Sequence, residues 1–206
     1  AEFSLMKVDT KICYAMTKEG KKEVVDSFPI TSQKIQDLMN PVLECIREYS
    51  EISEKLFQIE FQSSRNEDAM LTLIYHKELK DDWIKIASDL SSMLAISVIG
   101  RSKNQKITIG NEFVTETYRY LDREFSLKLY EQCFSQTNPY ICDAMLQWVI
   151  ENIDSSEGDI MELHCGLGTF TIPLSTVCQN VLAPENSRPR LKALKENIYL
   201  ILRTNI

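Results

Sequence analysis

No apolar run in the sequence reaches the ~18 residues that a membrane-spanning helix needs, so no helical span is expected. The first residues, Ala1 to Met6, carry neither a basic segment nor a signal-type apolar stretch. No initiator methionine stands ahead of Ala1, and a clipped or processed start is expected. The six cysteines, Cys13, Cys45, Cys133, Cys142, Cys165 and Cys178, lack CxxC spacing and sit mostly in apolar patterns. Neither a disulfide framework nor a zinc site is expected, and reduced core thiols in a cytoplasmic protein are. Internal repeats and low-complexity segments are missing. Positive charge is in deficit, with 23 Lys and Arg against 30 Asp and Glu and a formal net charge of -7. That argues against a nucleic-acid coat protein while leaving room for a local basic patch.

What is present is ordinary globular material: 206 residues, 44% hydrophobic and 26% charged, enough for one large or two small domains. We read two regions, 1–130 and 131–206. The first reads as antiparallel hairpins with helices between them. Glu2 to Met16 is strand-like, with a turn near Asp9 and Thr10, and Lys18 to Lys21 is a second turn. Ser32 offers an N-cap before Ile35, Leu38, Met39, Val42, Cys45 and Ile46, which recur at helical spacing. Pro41 within that pattern predicts a kink or a shortened helix. Leu56 to Gln62 and Ala69 to Tyr75 read as strands around a polar turn at Ser64 to Asp68. Asp81 and Asp82 open a helix through Trp83, Ile86, Leu90 and Leu94. Ile96 to Ile99 and Lys106 to Ile109 form a hairpin.

The second region changes period. Asn138 to Ile153 reads as an amphipathic helix whose apolar face is Ile141, Met145, Trp148, Val149 and Ile153. Ile160 to Leu163 is a strand, Gly168 to Val177 a helix interrupted by Pro173, and Asn180 to Ala183 a second strand. Arg190 to Leu202 is a helix with Leu191, Leu194, Ile198 and Leu202 on one face. Strand, helix, strand, helix at this pace begins a parallel α/β fold.

The stretch "DIMELHCGLGTF", Asp159 to Phe170, joins an acid, Glu162, to the glycines Gly166 and Gly168. A glycine turn after a parallel strand lets a ligand approach the backbone closely. A dinucleotide is disfavoured, because Thr171 replaces the third glycine of the fingerprint and Glu162 would repel a pyrophosphate. A cationic, phosphate-free ligand such as S-adenosylmethionine is favoured instead. Glu185, ending the next strand, can accept hydrogen bonds from ribose hydroxyls. A plain strand-turn-helix with surface acids stays open on these residues alone.

Several ordered segments carry a resemblance. They are "VDSFP" (Val25 to Pro29), "KLFQIEF" (Lys55 to Phe61), "LIYHKELKDDW" (Leu73 to Trp83), "VIGRSKNQKI" (Val98 to Ile107), "CFSQTN" (Cys133 to Asn138) and "GDIMELHCGLGTFTIPLS" (Gly158 to Ser175). Over nearly its whole length the chain resembles the tRNA (uracil-5-)-methyltransferase family, which makes 5-methyluridine in the T-loop of tRNA. The resemblance implies a mixed α/β tRNA-recognition region followed by the first part of a Rossmann-like class I methyltransferase fold. It implies S-adenosylmethionine as methyl donor, a cysteine that attacks carbon 6 of uracil, and a base that removes the carbon 5 proton. Carried over residue by residue, it assigns Gln136, His164, Thr169 and Glu185 to the cofactor site. The family loop usually reads Tyr-Cys-Gly-Asn-Gly-Asn-Phe. Leu167 and Thr169 replace its two amides, His164 replaces its tyrosine, and Pro184 precedes Glu185.

The family's Asp-Pro-Pro, Ser-Cys-Asn-Pro and terminal base segments do not occur up to Ile206. The resemblance therefore implies that no cysteine here is the nucleophile and that the chain as it stands does not methylate tRNA. Cys165 is read as a thiol packed under the turn. His76 is read as a strand-end histidine held by hydrogen bonds, and Trp83 and Trp148 as core. For RNA, Arg101, Lys103 and Lys106 cluster around a hairpin turn, with Arg119 and Arg123 following. A degenerate RNA-binding protein without catalysis is the alternative. No metal is expected.

Overall fold

The computed structural model describes residues 1–153, 158–201 and 204–206. It divides into two units, Ala1–Val114 and Thr115–Ile206.

The first unit is a seven-stranded sheet of order β3-β2-β1-β4-β5-β6-β7. Its strands are β1 (Glu2–Val8), β2 (Lys11–Lys18), β3 (Lys21–Val24), β4 (Leu56–Ser63), β5 (Ala69–Tyr75), β6 (Ser97–Ser102) and β7 (Gln105–Ile109). The β1-β2 turn falls at Asp9 and Thr10 and the β2-β3 turn at Glu19 and Gly20, where positive φ at Glu19 (50°) and Gly20 (79°) closes the reversal. In the β4-β5 turn Ser64 donates its N–H to Asp68 O at 3.0 Å, and Ser64 Oγ accepts from Asn66 N at 3.2 Å.

One pairing departs from expectation. β5 and β6 run parallel, Leu71 opposite Val98 and Leu73 opposite Gly100, where only antiparallel hairpins were read. The intervening helix α3 (Asp81–Leu94) makes the crossover that a parallel pair requires. It packs tightly there. A Cβ on Gly100 would lie 2.4 Å from Trp83 and 2.5 Å from Leu79, so only glycine lets the helix settle on β6. Trp83 is buried, as read, and its Nε1 donates to Tyr75 Oη at 2.8 Å.

Helix α1 (Gln33–Glu48) starts at the Ser32 cap, whose Oγ accepts from Ile35 N at 3.3 Å. It buries Ile35, Leu38, Met39, Val42, Leu43, Cys45 and Ile46. Pro41 does not shorten it. The apolar face on either side holds the helix through the one backbone bond that Pro41 cannot make. A short turn of helix, α2 (Ser50–Ser53), follows.

The second unit begins within a hairpin absent from the sequence reading: β8 (Phe113–Tyr120) and β9 (Arg123–Tyr130). The reading divided the chain at 130, whereas most of this hairpin clusters with the residues that follow it. Helix α4 (Pro139–Asn152) is capped by Asn138, whose side chain accepts from Tyr140 N and Ile141 N at 3.1 Å. Its buried face is Cys142, Leu146 and Ile150. The stripe read as core is instead exposed: Ile141 58%, Met145 40% and Trp148 65%.

Strands β10 (Ile160–Met161) and β11 (Val181–Leu182) pair in parallel, Ile160 opposite Val181, as expected but shorter than read. Between them α5 (Thr171–Leu174) is a single turn, not a helix from Gly168 to Val177. Ser175 Oγ donates to Ile172 O, Thr176 Oγ1 to Pro173 O and Cys178 Sγ to Leu174 O. Side chains that take up the carbonyls in this way compete with helix continuation, and Pro173 adds to it. Helix α6 (Arg188–Leu200) buries Ala193, Leu194 and Asn197. Leu202, read as part of its apolar face, lies outside the described residues. Beyond it, Asn205 O accepts from Val181 N at 2.8 Å along β11.

Candidate cofactor-binding site

The second unit brings the two acids of the sequence reading around one glycine loop. The chain leaves β10 at Glu162 and turns through His164 (φ 59°), Gly166 (φ 62°) and Gly168 (φ 98°). A left-handed conformation at three alternate residues is a course that glycine permits at two of them and histidine tolerates at the third. The two glycines do different work. A Cβ on Gly168 would lie 2.8 Å from Leu194 Cδ1, so Gly168 is the close approach of loop to α6. A Cβ on Gly166 would meet nothing within 4 Å, so Gly166 presents its backbone to open space.

Glu185 fastens the exposed side of this loop. Its Oε2 accepts from Gly166 N at 3.0 Å and its Oε1 from Ser187 N at 2.8 Å. These N–H donors, Ser187 foremost, hold its carboxyl below the usual carboxylate range, so it is ionised near neutral pH. The Asn186 N–H also acts on it, and since a carboxylate has about four acceptor positions, one is left for a ligand's hydroxyl.

Glu162 lies deeper. Its Oε2 accepts from Thr171 Oγ1 at 2.6 Å, and burial pushes its carboxyl up despite that bond. Thr171 stands where a dinucleotide fingerprint has its third glycine, and it fills the space with a fully buried hydroxyl bonded to the acid.

Cys165 is buried, and its thiol donates to Ala183 O at 3.2 Å. Desolvation first, then the charges of Glu162 and Glu185, push that thiol up to about 11. It is a thiol at neutral pH, and the thiolate is the nucleophilic form. The same shift places both acids within electrostatic reach of one residue.

The other expected site residues lie as follows. His164 is exposed on the loop. Thr169 is buried beside it, in the turn before α5 and not on a helix. Gln136 is half-buried in the irregular segment between β9 and α4. Sequence reasoning missed Asn197, fully buried on α6, whose Nδ2 donates to Leu167 O at 3.0 Å. An asparagine between Leu194 and Ile198 was its one signal.

In the first unit Arg101 and Lys106 are opposite one another across β6 and β7, with Lys103 exposed at the turn. Lys106 pairs with Glu112 at 2.7 Å. In the second unit Arg119 is engaged by Glu124 and Arg123 is exposed. His76 does more than close a strand. Its N–H donates to Lys55 O at 3.0 Å, and its ring stacks on Phe57 with centroids 4.0 Å apart and planes 8° from parallel. Among the described residues no group of three His, Cys, Asp or Glu could hold a metal ion, and no helix is long and apolar enough to cross a membrane.

Comparison with known proteins identifies the family and the fold. The chain is 37% identical over 204 residues to a tRNA/tmRNA (uracil-C(5))-methyltransferase of Acinetobacter baumannii (strain AYE), covering 96% of this chain and 56% of the relative. It is 39% identical over 202 residues to the protein of that description in Stutzerimonas stutzeri (strain A1501), again covering 56% of it. The chain thus spans little more than half the length of these relatives. Among solved structures it is similar to the Pyrococcus abyssi tRNA (uracil-54, C5)-methyltransferase in complex with S-adenosyl-L-homocysteine, with a TM-score of 0.72, 16% identity, and coverage of 99% of this chain and 53% of that one. That likeness establishes the α/β fold, its second unit being the beginning of a class I methyltransferase fold. Residues 1–206 match the family described as tRNA (Uracil-5-)-methyltransferase, and the chain belongs to that family.

Proposed function

We propose that this chain carries the S-adenosylmethionine site and a tRNA-binding surface of an enzyme that methylates carbon 5 of a T-loop uridine. The observation that carries this reading is the Glu185 carboxylate. It is ionised, stands three residues past β11, and is fixed against the Gly166 N–H with an acceptor position to spare.

The residues present fit that cofactor. Glu185 takes a ribose hydroxyl. Glu162 supplies negative charge toward the cationic end, where a phosphate would be repelled. Gly166 leaves the backbone open, and His164, Thr169 and Gln136 supply the remaining polar surface. Bound there, S-adenosylmethionine supplies an electrophilic methyl group. Cys165 takes no part in attack on the base, since its proton is held by burial and its thiol is spent on Ala183 O. The tRNA surface includes the β6-β7 hairpin, where Arg101, Lys103 and Lys106 meet phosphates.

Calorimetric titration with S-adenosylhomocysteine and NADH, alongside filter binding of tRNA transcripts, tests the reading. One S-adenosylhomocysteine per chain, no NADH, and tighter binding of transcripts with an intact T-loop are expected. Binding of NADH in place of S-adenosylhomocysteine, or indifference to the T-loop, would overturn it.

A further inference from the structure

The structure assigns to Asn197 a positioning role. It holds the glycine loop in its binding shape and ties it to the β8-β9 hairpin. The inference rests on the reading that this loop seats the cofactor. Asn197 is fully buried on α6, and every polar atom of its amide is used. Oδ1 accepts from Lys128 N at 2.9 Å, while Nδ2 donates to Lys128 O at 3.3 Å and to Leu167 O at 3.0 Å. The two bonds to Lys128 reproduce, at a single residue of β9, the exchange that a neighbouring strand would make. The third reaches the carbonyl lying between Gly166 and Gly168.

Two side chains of opposite polarity therefore hold the loop from outside. Glu185 accepts from the peptide N–H of Gly166, and Asn197 donates to the peptide C=O of Leu167. The peptide plane fixed by Asn197 also carries the Gly168 N–H, which turns inward to Cys165 O at 3.1 Å. Glycine has little steric preference of its own, so these bonds set the orientations of the loop's peptides. Packing alone does not call for an amide here. Its neighbours along the buried face, Ala193 and Leu194, are apolar, and a buried amide is tolerated only when its bonds are complete. The adjacent Glu196 accepts from Tyr130 Oη, a second tie between α6 and the end of β9. The segment holding Gln136 follows directly, so one patch of α6 registers both stretches of the candidate site.

The test titrates S-adenosylhomocysteine into the wild-type chain, Asn197→Ala, Asn197→Asp and the core deletion Leu127→Ala. It adds amide hydrogen exchange at residues 166–168. Asn197→Asp keeps the acceptor for Lys128 N but loses both donors, and it provides a second variant should Asn197→Ala not fold. Both Asn197 variants are expected to bind at least about tenfold more weakly, the scale of one lost buried hydrogen bond. Both should exchange faster at the Gly166 and Gly168 amides. Leu127→Ala removes buried volume beside Lys128 while leaving the Asn197 amide and the backbone groups it bonds in place, so it is expected to lower the melting temperature with affinity within about twofold of wild type. Unchanged affinity and exchange in the Asn197 variants would overturn the assignment. So would an equal loss of affinity in Leu127→Ala, which would reduce Asn197 to general stability. If the wild type itself fails to bind, the cofactor reading falls, and the exchange comparison alone decides whether Asn197 orders the loop.

Discussion

Thr171 Oγ1 donates to Glu162 Oε2 at 2.6 Å, across the turn that joins β10 to α5. This bond accounts for two oddities of the sequence at once: an acid at the end of an apolar strand, and a threonine where a nucleotide-binding loop would place glycine. The hydroxyl partly satisfies a carboxylate that burial disfavours, and the pair leaves negative charge behind the loop.

The pH dependence of stability follows from that balance. Burial raises the carboxyl of Glu162 above its unfolded value, so the folded state favours the protonated form. Below the unfolded pKa the group is neutral in both states and costs nothing. As the pH rises past it, keeping the half-buried carboxylate ionised costs stability. Glu162→Gln is therefore expected to be at least as stable as wild type in urea at pH 7, with the advantage shrinking toward pH 4. It should also bind S-adenosylhomocysteine less well. A variant less stable at pH 7 than at pH 4, relative to wild type, would refute this balance.

Gly100→Ala tests the packing of the first unit. The added methyl would overlap the Trp83 ring and Leu79 on a buried face, and overpacking of this kind costs roughly 1–3 kcal/mol. Urea unfolding followed by Trp83 fluorescence measures it. A substitution costing nothing would mean that α3 does not need glycine beneath it.

The basic hairpin has its own test. Arg101→Ala with Lys103→Ala should weaken tRNA binding and reduce the salt dependence of log K by roughly the slope of two phosphate contacts. A double variant keeping the wild-type slope would remove the hairpin from the tRNA surface.

Much of the first unit was legible because its elements obey one rule each. The turns at Asp9 and Ser64 carry turn residues, and the α1 and α3 faces repeat at helical spacing. The β8-β9 hairpin was not. Its inward positions are Val114, Glu116, Tyr118 and Tyr120, and Glu116, only 2% exposed, interrupts the apolar alternation that marks a strand. Its turn, Leu121 and Asp122, lacks the glycine that signals a hairpin. In α4 two apolar stripes compete, one residue apart. Cys142, Leu146 and Ile150 are covered, and Ile141, Met145 and Trp148 are not. Hydrophobicity that runs around a helix cannot choose between them. In the candidate site, Glu162, Glu185 and the glycines could be read from their order along the chain. Asn197 could not, because its partners Lys128 and Leu167 are distant in sequence.

The central claim is that the loop between β10 and α5, completed by Glu185, seats S-adenosylmethionine. Calorimetric titration of S-adenosylhomocysteine into the wild-type chain and Glu185→Ala tests it most directly. The carboxyl of Glu185 is held low, so it is ionised above its unfolded pKa and loses its charge only as the pH falls through the lower folded value. Its contribution to binding is therefore constant through neutral pH. The account predicts saturable binding by the wild type, weakened in Glu185→Ala by roughly 1–3 kcal/mol, the scale of hydrogen bonds to a charged acceptor. Equal dissociation constants for the two proteins would contradict it.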